Sequence, residues 1–282
     1  MTSRLPLAAA AALALCSGNV LADASVTASL SQITIELIDL TPDDGISPWI
    51  SFDIAPYSFA STEAHSSDPP GGAQDQRTGD SAFAGLASVS APNPYAQGAA
   101  TIGGDPFAGT LSLQTSAFTM PTGESYSAAH AAVGDPNGSL PAFTLSAGTE
   151  LVMRAVSDIT VTSKAINTGH GGGFTYAADS QVLTLYGVVG DVWQESGQSL
   201  DLYATSLQGM DITRSDHRVI EATFRNPLDV ATVGNMRVSV IARTGYVPSV
   251  PEPAPLALML AGLGTLGFVS ARRRRPLRDT RS

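Results

Sequence analysis

An all-β fold, an antiparallel β-sandwich in Ig-like or jelly-roll style, is what this 282-residue sequence predicts. Three observations predict it. Apolar and polar residues alternate with period two over many stretches, the mark of strands with one buried face. These stretches recur at about ten-residue spacing, with clusters of Gly, Asp, Asn and Pro between them. Between Asp23 and Tyr246 no segment repeats its apolar residues convincingly at helical spacing.

The elements follow in order. Val26, Ala28 and Leu30 alternate with polar neighbours, and Ile33, Ile35 and Leu37 resume the alternation after a one-residue slip at Ser31-Gln32, which reads as a bulge or tight turn. Asp43-Asp44-Gly45 is turn chemistry, and Trp49 to Ile54 begins another strand. From residue 55 to 110 the pattern dissolves into Ala, Ser, Gly, Pro and Asp, which predicts long loops with two weak strands near Phe83–Ser88 and Ala96–Ile102. Further strands fit Leu111–Phe118, Tyr126–Val133, Phe143–Leu145, Glu150–Val156 and Ile159–Ser163. Beyond the glycine-rich His170-Gly171-Gly172-Gly173, others fit Val182–Val189, Leu200–Ser206, Arg218–Arg225 and Met236–Arg243. The domain reading is a leader at 1–22, a β-sandwich body at 23–246 and a tail at 247–282.

The ends of the chain have their own logic. Arg4 precedes an apolar stretch from Leu5 to Leu15, and Val20-Leu21-Ala22 places small or apolar residues where signal peptidase cuts, so 1–22 reads as a secretory signal peptide processed after Ala22. At the other end Val250-Pro251-Glu252-Pro253 is followed by an uncharged run, Ala254–Ala271, and by Arg272-Arg273-Arg274-Arg275. Eighteen residues of helix would reach roughly 27 Å, close to a bilayer's hydrocarbon thickness. The expectation is a C-terminal transmembrane helix, with the arginines as a stop on the cytoplasmic side and the body outside. Pro251 and Pro253 hold the preceding segment extended, the conformation a protease needs.

This order of motif, apolar run and basic stop resembles the PEP-CTERM sorting tail of exported Gram-negative bacterial proteins, which a membrane-embedded exosortase recognises and cuts. The segment Ala28–Ile46, followed by Pro48, also looks like the opening of many PEP-CTERM exported proteins. The resemblance implies export through the Sec machinery, a transient inner-membrane anchor, exosortase processing at Val250, Pro251, Glu252 and Pro253, and delivery to the cell surface or medium. It further implies an association with exopolysaccharide and biofilm.

Composition bounds the chemistry of the body. Between Asp23 and Pro253 eight basic residues face 24 acidic ones, a net charge of −16 that argues against nucleic acid as a partner. The single cysteine, Cys16, leaves with the leader, so the mature body has neither disulfide nor thiol nucleophile. The glycine-rich loop at His170 resembles a lipase oxyanion loop, yet no Gly-x-Ser-x-Gly elbow occurs anywhere. The four histidines, His65, His130, His170 and His217, share no metal-binding spacing. Asp39, Asp43 and Asp44 are the densest carboxylates and the only weak candidates for calcium, with turn formation the favoured reading. Trp49, Tyr57, Phe59, Trp193 and Tyr203 are candidates for stacking on sugars, although a sandwich core needs the same side chains and packing is the reading taken. The expected protein has no cofactor and no catalytic residue: a structural or adhesive surface protein, with a carbohydrate-binding module as the alternative and a secreted hydrolase behind it.

Overall fold

Period-two alternation does produce strands throughout the described part of the body. The computed structural model describes residues 24–52, 58–67, 70–79, 87–120, 124–134, 142–164, 173–206 and 210–248. Fourteen strands lie among them: β1 Ala24–Asp39, β2 Ile50–Ser51, β3 Ser58–Ser67, β4 Pro70–Gly79, β5 Ala87–Pro92, β6 Ala96–Gly103 and β7 Leu111–Thr119. The second half holds β8 Ser125–Val133, β9 Phe143–Leu145, β10 Thr149–Ser163, β11 Gly173–Val189, β12 Val192–Ser206, β13 Ile212–Asn226 and β14 Thr232–Pro248.

Every pairing is antiparallel. One sheet runs β13-β10-β1-β7-β6-β5, and the other runs β12-β11-β14-β8-β3-β4 with β9 and β2 added beside β14. Their inward faces share one apolar cluster, which includes Leu30, Ile33, Leu113, Leu151 and Met153 from the first sheet and Leu183, Leu185, Val238 and Val240 from the second. Phe143 stands edge-on to Phe224 at 5.3 Å, and its ring occupies the space a side chain at Gly234 would need. The opposite end of the interior is built from hydroxyls. There Ser163 Oγ lies 2.6 Å from Thr175 Oγ1 and accepts the Ser206 N–H at 2.8 Å.

The two sheets also approach along one margin, where β12 and β13 lie side by side without a backbone ladder. Gln194 supplies the missing pairing: its Nε2 donates to the Arg225 carbonyl at 2.9 Å and its Oε1 accepts the Arg225 N–H at 3.2 Å. Ser196 Oγ accepts the Thr223 N–H at 3.1 Å one step further on. Side chains thus close this margin and leave the molecule a half-closed barrel.

Several expectations are corrected. The fold class predicted above, a sandwich in Ig-like or jelly-roll style with a C-terminal transmembrane helix, gives way to an all-β, antiparallel structure without helix among the described residues. Its strand order matches neither the seven- or nine-stranded Ig pattern nor the eight-stranded jelly roll. No helix there is long and apolar enough to cross a membrane, and Ala254–Ala271 falls outside the described residues. An apolar run specifies hydrophobicity rather than helix, and Gly262, Gly264 and Gly267 each lower helix propensity by up to about 1 kcal/mol. The transmembrane helix, and the transient inner-membrane anchor inferred from it, are therefore withdrawn.

Within 55–110 the weak strand expected at Ala96–Ile102 is β6, whereas much of the rest, expected as long loops, forms β3, β4 and β5. Here the buried positions are Ala60, Thr62 and Ala64 in β3, and Ala96, Gly98, Ala100 and Ile102 in β6. Small residues fill a narrow gap between the sheets, and a Cβ at Gly98 would meet the Ala128 carbonyl at 2.8 Å. Alternation of alanine with serine carries little hydropathy contrast, which is why the pattern is faint. The slip at Ser31-Gln32 is a β-bulge: the ladder to β10 shifts between Ser31 and Thr34, with Gln32 at φ 51°.

Candidate functional site

Strand parity gives each sheet one outward face, and the two outward faces differ in chemistry. On the first sheet it is a lattice of polar cross-strand pairs. Arg154 bridges Glu36 at 2.6 Å and Glu221 at 2.7 Å, His217 pairs with Asp158, and Thr160 and Thr162 meet Ser215 and Thr213 at 3.2 Å. Exposed pairs of this kind contribute little to stability and suit a solvated wall.

The outward face of the second sheet carries aromatic rings. Cross-strand register sets Thr205, Tyr176, Gly245, Tyr126 and His65 in one row across β12, β11, β14, β8 and β3. The next row is Tyr203, Ala178, Arg243, Ala128 and Glu63. A Cβ at Gly245 would overlap Cε1, Cζ and Oη of Tyr176, so the tyrosine ring lies across the β14 backbone and only glycine leaves room for it. His65 and Tyr126 stack with ring centroids 5.6 Å apart. The Tyr126 hydroxyl donates to Glu63, and burial together with that carboxylate pushes its pKa up to about 12. The phenol therefore keeps its proton at any physiological pH.

His130 sits further along the same face, edge-on to Phe59 at 5.4 Å. Burial, with Arg237 and Arg243 nearby, lowers its pKa to about 4, so the ring is neutral at pH 7. At the far end Tyr186 and Trp193 form a tilted pair at 5.9 Å, next to exposed Val188 and Val233. The packing reading is corrected for three of the five large aromatics, Trp193 at 57 % exposed, Tyr203 at 53 % and Trp49 at 44 %, whereas Phe59 is partly buried and Tyr57 lies outside the described residues. The inward positions these rings would have filled belong to Leu, Ile, Val, Ala and Phe.

The other sequence candidates fall apart or fall outside. Asp39 Oδ1 accepts the Thr41 N–H at 2.9 Å. Asp44 accepts the Ile46 N–H at 2.7 Å and the Thr41 hydroxyl at 2.6 Å, and these two bonds lower its pKa. Both are engaged in turn hydrogen bonds, and Gly45 follows at φ 74°. Asp43 lies in the same turn. Among the described residues no group of three or more His, Cys, Asp or Glu side chains is placed to hold a metal. The cleavage position Ala22, the glycine-rich loop at His170, the motif Val250–Pro253 and the arginines Arg272–Arg275 lie outside the described residues.

The last strand ends at Pro248, and residues 249–275 match the model of the PEP-CTERM protein-sorting motif. The chain carries a PEP-CTERM sorting motif. The match takes in Val250, Pro251, Glu252 and Pro253 as well as Arg272, Arg273, Arg274 and Arg275, all of the tail residues singled out from sequence. It points to recognition by an exosortase and to sorting toward the surface or exterior. No curated protein matches the chain. The PEP-CTERM match starts one residue beyond β14, so little chain separates the signal from the folded body.

Proposed function

We propose that this protein is exported, processed by an exosortase at its PEP-CTERM tail, and retained at the cell surface or in the extracellular matrix as a non-enzymatic structural or adhesive component. The single observation that carries the reading is the motif match at 249–275. A body with net charge −16, no cysteine and no nucleophile elbow supports a role outside the cytoplasm without catalysis. The partners in this reading are the Sec machinery and signal peptidase on the way out, the exosortase at the tail, and exopolysaccharide at the destination. The row of aromatic rings on the outward face of the second sheet, with Tyr203 exposed, favours a second reading, a carbohydrate-binding module, which is compatible with the first.

Sorting is tested in cells that contain an exosortase. The expected outcome is a released protein in which mass spectrometry finds no peptide covering Leu256–Ala271, and a Glu252→Ala variant that keeps its tail. Glu252 is the only charge in the four-residue motif, so its loss removes the one group that can direct an electrostatic contact there. Release of a protein still containing Leu256–Ala271, or processing of Glu252→Ala at the native rate, would overturn the reading.

A further inference from the structure

We propose that the outward face of the second sheet is a polysaccharide-binding platform centred on Tyr203, Tyr176, Tyr126 and His65. The proposal deepens the carbohydrate-binding reading above and rests on it.

Position is the first argument. Tyr176, Tyr126 and His65 share one row across β11, β8 and β3, with glycine on the intervening β14, and Tyr203 stands in the adjacent row on β12, so the rings form a line across the sheet. With strands about 4.8 Å apart, the line from β12 to β3 extends roughly 19 Å, room for an extended chain and far more than a single sugar. Its floor is low beside the rings, because Ala178 and Ala128 lie between the larger residues. The Tyr176 ring is held over Gly245, where any larger residue would displace it.

Chemistry is the second argument. A pyranose has an apolar C–H face and a rim of hydroxyls, so it is recognised by ring faces bordered by planar hydrogen-bonding groups. Arg243 and Glu63 border the tyrosines in the adjacent row, with His65 at the end of the line. The Tyr126–Glu63 hydrogen bond holds one ring and one carboxylate in fixed relation before any ligand arrives, which reduces the entropy lost on binding. An apolar peptide has no use for that charged border. Nucleic acid is disfavoured by the body's charge of −16.

Contrast within the molecule is the third. The opposite outward face is dominated by Ser, Thr and paired charges, and it exposes Val219 rather than a tyrosine. Tyr203 is 53 % exposed and lies on an edge strand, so a fold that needed only a core had no call for a tyrosine there.

The test uses the purified full chain against immobilised β-1,3- and β-1,4-linked glucans, N-acetylglucosamine polymers and uronic-acid polymers, with affinities then measured on the best binder. Tyr176→Ala and Tyr203→Ala are each expected to weaken binding about tenfold and Tyr126→Phe, which keeps the ring but loses the hydrogen bond to Glu63, about threefold, whereas Trp193→Ala, at the far end of the face, stays within about twofold. Unchanged unfolding midpoints for the two alanine variants exclude misfolding. No binding to any polymer, binding indifferent to both tyrosine changes, or binding lost with Trp193→Ala instead, would overturn the platform. The measurement involves no exosortase, so it can fail while tail processing succeeds, and the reverse.

Discussion

Asp179 occupies an inward position of β11 and is 3 % exposed. Burial pushes its carboxyl up to about 8, with Gln181 offsetting part of the rise and Asp201 adding to it. The Gln181 amide is itself directed at the carbonyls of Ser29 and Asp158, at 3.3 Å each, so it compensates Asp179 poorly. The folded protein therefore holds a proton on Asp179 that the unfolded chain, with a carboxyl near 3.8, releases. The stability associated with that proton is fully present below about pH 4 and is lost as the pH rises toward 8, at up to about 1.4 kcal/mol per unit. Asp179→Asn is expected to flatten that slope and to raise the urea midpoint at pH 8 more than at pH 5. Equal shifts at the two pH values would show that the carboxyl does not titrate in the fold. His130 acts in the opposite sense: lowered to about 4, it contributes stability above its unfolded value of 6.5 that is lost as the pH falls toward 4. The Asn variant isolates one slope from the other.

Among the elements, β12 and β13 show how this fold treats its edges. Each is the last strand of its sheet, with backbone groups facing sideways, the arrangement that invites pairing with another molecule. Gln194 and Ser196 satisfy the backbone of Arg225 and Thr223 with side-chain atoms. Gln194→Ala is expected to cost about 1 kcal/mol of stability and to increase self-association, read from a denaturation curve and from sedimentation velocity. Gln194→Glu keeps the acceptor for the Arg225 N–H, loses the donor, and should fall between the two. A Gln194→Ala protein as stable and as monomeric as the native one would remove this role from the glutamine.

For the whole molecule, the distribution of side-chain size predicts where the fold opens first. The main cluster draws Leu, Ile, Val, Met and Phe from both sheets, whereas the margin formed by β3 to β6 has a separate small cluster made of Ala64, Ala91 and Ala96 with Ala73 against it. Alanine buries little area, so this margin has the weakest hydrophobic stabilisation. Hydrogen exchange is expected to be faster in β4 and β5 than in β10, β11 and β14 by at least an order of magnitude, measured by mass spectrometry of peptides from the native protein. Uniform protection across the sheets would contradict it.

The same distribution separates what was readable along the chain from what was not. Alternation in Val26 to Leu37, in Leu111 to Thr119 and in Met236 to Arg243 is a local property, so strand identity, inward residues and the bulge at Gln32 could be derived without any knowledge of partners. The sorting motif was equally legible, because its information is linear: Pro-Glu-Pro, an apolar run and four arginines in order. Of the strands between 58 and 103 only β6 was legible, and β3 and β4 were obscured, since Ala and Ser differ too little in hydropathy to mark a face. The platform was invisible for a different reason. Tyr126, Tyr176 and Tyr203 are separated by long stretches of chain, and only the register of β12, β11, β14 and β8 brings them into adjacent rows. A one-residue slip in any of those ladders would turn a strand's side chains to the other face, so register, a long-range quantity, decides whether the rings make a surface or a core. Sequence by itself thus determined the strongly alternating strands and the address, which depend on neighbours in the chain; the tertiary structure alone decided the faint strands, sheet order, the closed margin and the aromatic face, which depend on neighbours in space.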